Sequence, residues 1–233
     1  IIMLLNIYKN DNKESSALNL ALKYGEELIE RAKLSKKNIN TGFAHGLSGI
    51  SAALIMLFNF NKKFEYYNLA IMLIIMENKY YVEKENSYLD LREDKKISQA
   101  HWCYGATGIL VSRTLIFDED KEIIERDIER CINKIIKDGL NEEMLNNLCH
   151  GNIGNLDVLL ALASKNNNEA LMNLIVEKSK KIIIDIIENG LNVSNPVACI
   201  NIDFMTGLSG VMYFLLRLLN KDIPSVLYLE SRK

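Results

Sequence analysis

The pattern Gly-x-x-Gly occurs four times, at Gly46/Gly49, Gly105/Gly108, Gly151/Gly154 and Gly207/Gly210, and takes eight of the twelve glycines in the chain. Successive copies begin 59, 46 and 56 residues apart. Recurrence at this interval marks a repeat architecture, in which a single unit cannot bury its apolar face and its neighbours must cover it. Each copy opens an apolar segment of helical length, at 47–58, 106–117, 152–163 and 208–219. Being apolar on most faces, these segments predict buried inner helices. Between them, amphipathic segments at roughly 16–33, 64–80, 120–137 and 168–188 carry charges at helical spacing and predict outer helices. Asp138-Gly139 and Asn189-Gly190 suit the ends of two of these, since glycine and asparagine enter the left-handed region cheaply. The polar, irregular stretch 83–100 predicts a long loop. Glycine within a helix costs about 1 kcal/mol relative to alanine. Its return at the same place in every unit therefore predicts close backbone approach at the start of each inner helix.

The fold class expected is all-α. Both prolines, Pro196 and Pro224, lie near the C-terminus, so the preceding length is free to run helix after helix. With 233 residues, 48% of them hydrophobic, the chain can bury a sizeable core. Its 28 basic and 30 acidic residues give a net charge of -2, which leaves no basic face for a run of phosphates and argues against nucleic acid. The longest apolar runs, at 50–58 and 69–76, fall short of the ~18 residues of a membrane span. The sequence starts at Ile1 without a basic region and cleavage site, so no secretion signal is read and the natural start is expected upstream. Four irregularly spaced cysteines then suggest reduced thiols or metal ligands, and a cytoplasmic protein, over a disulfide framework.

Aligning the four copies on their first glycine places His45, Tyr104, His150 and Thr206 just before it, and Ala44, Cys103, Cys149 and Met205 one place earlier. If the inner helices run in one sense about a common axis, these positions gather at one end of the assembly. Two cysteines and a histidine suit zinc, and three protein ligands with a fourth position open is the catalytic pattern. Cys103, Cys149 and His150 are thus the candidate ligands. From spacing alone, the same cysteines read equally well as small buried apolar residues. His45 reads either as a packing histidine or as a group that exchanges a proton near neutral pH. His101 is open between support of a ligand, substrate contact and a surface position. Cys131 and Cys199 fall outside the register and are expected to be core or loop thiols.

The segments GFAHGLSGI, HWCYGATGI, LCHGNIGN and FMTGLSGV resemble successive motifs of the lanthionine synthetase C-like cyclases, zinc enzymes with an α/α-toroid fold. The run Asp90-Leu91-Arg92, the segment 148–160 and the segment 204–230 look most like class II lanthipeptide synthetases, in which a dehydratase region precedes the cyclase. The resemblance implies that Cys103, Cys149 and His150 bind zinc and that His45 is the acid/base residue. It implies thioether closure in a dehydrated precursor peptide, a cysteine thiol adding to dehydroalanine or dehydrobutyrine. Family rings have seven inner helices and four Gly-x-x-Gly units occur here, so residues 1–233 are expected to be the C-terminal part of one cyclase domain. Activity is then expected of a longer parent and not of this segment alone. Tyr104 departs from the pattern, standing where related enzymes often carry histidine.

Two other functions compete. One is a zinc-stabilised helical module that binds a peptide or small thiol without catalysis. The other is a toroid glycosidase, which needs a carboxylate pair at the shared register. None occurs there.

Overall fold

The computed structural model describes residues 1–10, 15–34, 39–92, 96–116, 121–141, 143–193 and 201–230. The four inner helices are α3 (Leu47–Asn61), α5 (Ala106–Arg113), α7 (Asn152–Lys165) and α9 (Leu208–Leu219). The outer helices are α2 (Ser15–Leu34), α4 (Phe64–Asn78), α6 (Lys121–Asp138) and α8 (Glu169–Asn189). A helix that the glycine pattern does not reveal, α1 (Ile2–Asn10), precedes them. Helix α1 packs on α2 and α3, while α3 lies against α5, α5 against α7, and α7 against α9. Among the described residues the inner row thus has five members, and α4, α6 and α8 cover it from outside. This alternation is that of an α/α toroid. Among the described residues no helix is long and apolar enough to cross a membrane.

Burial follows the apolar pattern. Every residue of α5 is buried, as is the stretch of α7 from Asn152 to Leu160. Helix α9 instead leaves one stripe exposed, with Met212, Leu216 and Leu219 at i, i+4 and i+7. Helix α5 stops at Arg113, short of the predicted end, because Leu115 and Ile116 turn to the tighter i−3 carbonyls of Ser112 and Arg113. Residue 117 lies outside the described residues.

The expected loop at 83–100 is partly sheet. Strands β1 (Tyr81–Val82), β2 (Ser87–Asp90) and β3 (Lys96–Ile97) pair antiparallel in the order β1-β2-β3. Tyr81 faces Tyr88 and Leu89 faces Ile97 across the ladders. Strands of two to four residues are too short to show the alternation by which a strand is recognised.

The paired glycines are explained by contact. A β-carbon on Gly49, Gly108, Gly154 or Gly210 would lie 1.9–2.2 Å from the carbonyl oxygen six residues earlier in the chain. The first glycine of each pair meets its own sixth-previous carbonyl at 1.8–2.3 Å. The chain therefore doubles back over the helix start with no room for any side chain. The amides of Leu47, Asn152 and Leu208 each bond the carbonyl seven residues back at 2.8 Å, satisfying helix-terminal donors that no capping side chain serves. Units also interlock here: Phe43 packs over Gly108 of the next unit, and Leu148 over Gly210. Gly190 follows α8 with a positive φ of 86°, which suits glycine, but its ψ of 176° takes it out of the left-handed helical conformation expected. Gly139 does not need one: the space for its β-carbon is closed by Ala100 and Asn155.

Among the described residues, three buried ion pairs cross-link the helices. Arg113 on α5 reaches Glu77 on α4 at 2.9 Å and Asp127 on α6 at 3.0 Å, with all three side chains fully buried. Asp157 on α7 pairs with Arg217 on α9 and accepts a bond from Ser225 Oγ at 2.8 Å. Gly154→Ala is expected to cost about 2–3 kcal/mol in urea unfolding, because a backbone carbonyl must move. Gly25→Ala, which meets only side-chain atoms of Leu57 and Tyr66, should fall within about 1 kcal/mol of the parent, helix propensity offsetting the contact. Arg113→Met strands two buried carboxylates and should cost about 3–5 kcal/mol in the same experiment.

Candidate metal centre

The loops that precede the inner helices meet at one end of the row, stitched by main-chain hydrogen bonds. Ala44 N donates to Cys103 O at 2.9 Å, Trp102 N to Cys149 O at 3.1 Å, and Cys149 N to Met205 O at 2.9 Å. Ala44, Cys103, Cys149 and Met205 share one register position, so the gathering expected from the alignment is carried by backbone. It brings together cysteines that are 46 residues apart in sequence.

Ligand atoms of Cys103, Cys149 and His150 all lie within 4.8 Å of one another. Donors at zinc bond lengths of about 2.0–2.3 Å in a tetrahedral site are roughly 3.5–3.8 Å apart, so a small contraction would seat the ion. The donor chemistry fits as well. Cys103 is buried, whereas Cys149 and His150 are half-buried and open on one side.

The Cys103 thiol donates to the Cys149 sulfur, and with His150 and His45 nearby this draws the Cys149 thiol down to about 5, against the opposing effect of burial. The same contact, with burial, pushes Cys103 well above the ordinary thiol range. Metal ligation takes both sulfurs as thiolates, so binding an ion here would be linked to loss of protons from the pair. Asn147, buried two residues before Cys149, holds the main chain of His150 and lies beside its ring. Its Oδ1 accepts from His150 N at 2.9 Å, its Nδ2 lies 3.3 Å from His150 Nε2, and the same amide donates to Val193 O at 2.9 Å.

His45 is exposed at the rim, close enough for its charge to lower the Cys149 thiol. The main chain of its loop is held by Glu77, whose Oε1 accepts from Gly42 N at 2.9 Å. Gly42 has φ of 95°, and a β-carbon there would strike the Tyr104 backbone at 2.3 Å. His101 is buried, so the surface reading is excluded; its ring centroid is 4.9 Å from that of Tyr104 and 5.8 Å from that of His150. Burial first, then the charges of His150 and Arg92, bring its pKa down to about 4, which keeps it neutral near pH 7. His101 and His150 both line a cavity of about 460 Å³ that Gln99, Lys134 and Asn141 also border.

Cys131 lies in the hydrophobic core, as expected, and Cys199 falls outside the described residues. Sequence reasoning missed Asn147, Asn40 and Glu77. An acid within the apolar run of α4 and an asparagine pair ahead of Cys149 were the available signals.

The profile described as lanthionine synthetase C-like protein matches residues 1–229. The chain is 27% identical over 219 residues to the lacticin 481/lactococcin biosynthesis protein LcnDR2 of Lactococcus lactis subsp. lactis, covering 87% of this chain and 23% of that protein. Among solved structures it is similar to nisin cyclase, with a TM-score of 0.65 and 16% identity, covering 97% of this chain and 63% of that one. The chain thus spans about a quarter of the curated relative and under two thirds of the nisin cyclase chain.

Purified chain is expected to hold close to one equivalent of zinc by elemental analysis. Cys149→Ala should lower the retained metal at least about tenfold after dialysis while the far-ultraviolet circular dichroism stays helical, since that side chain is only half-buried.

Proposed function

This chain belongs to the lanthionine synthetase C-like family, and from that premise we propose that it forms the metal-carrying part of an enzyme that closes thioether rings in a dehydrated precursor peptide. The observation that carries the proposal is the convergence of Cys103, Cys149 and His150, with His45 at the rim of the same cluster. Cys103, Cys149 and His150 would hold Zn²⁺, which when bound supplies Lewis acidity that favours the thiolate form of a substrate cysteine.

The side chains here do the rest. Asn147 holds the main chain of His150, and half-buried Cys149 and His150 form the side of the cluster that an incoming sulfur would approach. The substrate sulfur forms its bond to the β-carbon of dehydroalanine or dehydrobutyrine, and the alkene pair moves onto the α-carbon and its carbonyl. His45, in its protonated form, delivers the proton that the α-carbon then takes, and its exposure lets it recover one from solvent. Neutral His101 adds no positive charge to the cluster, so it does not compete with metal for the thiolates.

Substrate class follows from the chemistry: a peptide carrying both a cysteine and a dehydrated serine or threonine. A dehydratase region upstream in the parent chain would provide it. Class II lanthipeptide synthetases, which the Asp90-Leu91-Arg92 run and the C-terminal segment resemble, combine these two steps in one polypeptide. We place the reaction in the cytoplasm, where thiols such as Cys103 and Cys149 stay reduced.

In the full-length parent, His45→Asn is expected to slow ring closure by roughly 10²–10³-fold with zinc content unchanged. Because cyclisation leaves mass constant, the readout is the number of thiols that N-ethylmaleimide can alkylate in a dehydrated peptide. Unchanged closure by the variant removes His45 from the chemistry. A parent that binds zinc and peptide yet closes no ring is instead the non-catalytic binding module.

A further inference from the structure

The run Asp90-Leu91-Arg92 resembles the family without contributing a ligand or a proton donor, and its contacts explain what it is for. Strand β2 ends at Asp90, against the loop that carries His45. Asn40, six residues before Gly46, donates from Nδ2 to Asp90 Oδ1 at 3.2 Å and accepts at Oδ1 from Leu91 N at 2.7 Å. Thr41 Oγ1 donates to Leu89 O at 2.7 Å. On the other side, Asp90 grips the guanidinium of Arg92 in a fork, Nε at 3.0 Å and Nη2 at 2.7 Å. That guanidinium lies 3.8 Å from the ring centroid of Tyr104, the residue after Cys103. One short segment thus touches the proton-donor loop and the metal-ligand loop, which come from different repeats.

We propose that Asp90 and Arg92 are positioning residues: bridging Asn40 to Tyr104, they set the distance between His45 and the Cys103–Cys149–His150 cluster. This rests on the reading of His45 as a proton donor beside the metal. Stability alone does not account for the arrangement. The Arg92 side chain is 39% exposed, and ion pairs with that exposure contribute little to folding. A fork held at both ends instead gives orientation, which a point charge on a flexible stem would not. Productive geometry must be held to a fraction of an ångström, and such precision comes from the residues behind the reacting groups.

The test uses the 233-residue chain loaded with Co²⁺ in place of zinc, with isotope-labelled histidine. Paramagnetic relaxation of the His45 ring signals reports its distance from the ion and falls with the sixth power of that distance. In the parent chain His45 should be strongly relaxed. In Asn40→Ala, Asp90→Ala and Arg92→Lys, the thiolate-to-cobalt absorption band and the melting temperature should be retained while His45 relaxation changes by at least about twofold. Asp90→Glu, which keeps the charge, should restore part of the parent value. Identical His45 relaxation in the parent and all variants overturns the positioning role and leaves the proton-donor reading intact. Variants that lose the cobalt band and melt early overturn it too, by making the segment merely structural. A parent chain whose His45 feels no cobalt overturns both readings together.

Discussion

A carbonyl oxygen occupies the space that a β-carbon would need at each glycine of the four Gly-x-x-Gly pairs. That exclusion fixes how the chain enters every inner helix. Once the loop is folded back onto the helix start, its outward residues have one place to go, and the main-chain bonds from Ala44 to Cys103, Cys149 and Met205 line them up. The meeting of Cys103, Cys149 and His150 is a consequence of this packing and not of a local ligand motif. Its three side chains come from two repeats, and neither repeat alone could present them. Close backbone approach, usually discussed as a matter of stability, here determines where the chemistry is.

Buried charge serves the same end at greater depth. Glu77 bonds Arg113, the hydroxyl of Ser48 in the first turn of α3, and the amide of Gly42 in the His45 loop. One carboxylate thus ties two repeats to the loop that carries His45. A fully buried ion pair gains little net stability over a well-packed apolar substitute, because desolvation offsets the attraction. Its geometry is nonetheless exacting, and here that geometry is passed to Gly42. The fork of partly buried Asp90 on exposed Arg92 touches the same loop through Asn40.

Much of this was legible in the sequence, and the reasons are physical. Helices α3, α5, α7 and α9 start where their glycines say, because only glycine tolerates the carbonyl contact, and the register of Cys103 and Cys149 follows from counting. Helix α1 was not legible: it joins the inner row without a glycine pair, and nothing in its ten-residue neighbourhood distinguishes an inner from an outer position. The β-ladder at Ser87–Asp90 was missed because its side chains do not alternate over a long enough run. Asn147 and Asn40 were invisible for a different cause. Their roles depend on contacts with Val193 and Asp90, far away in sequence, and asparagine carries no pattern that announces a partner.

The central claim is that Cys103, Cys149 and His150 hold one ion and leave a position for substrate sulfur. X-ray absorption at the zinc edge of the loaded protein, recorded before and after addition of a cysteine-containing peptide, addresses it most directly. The expected spectrum has two sulfur neighbours at about 2.3 Å with nitrogen or oxygen completing the shell, and three sulfurs once the peptide is present. A shell without sulfur, or one of four protein donors that the peptide leaves unchanged, would contradict it.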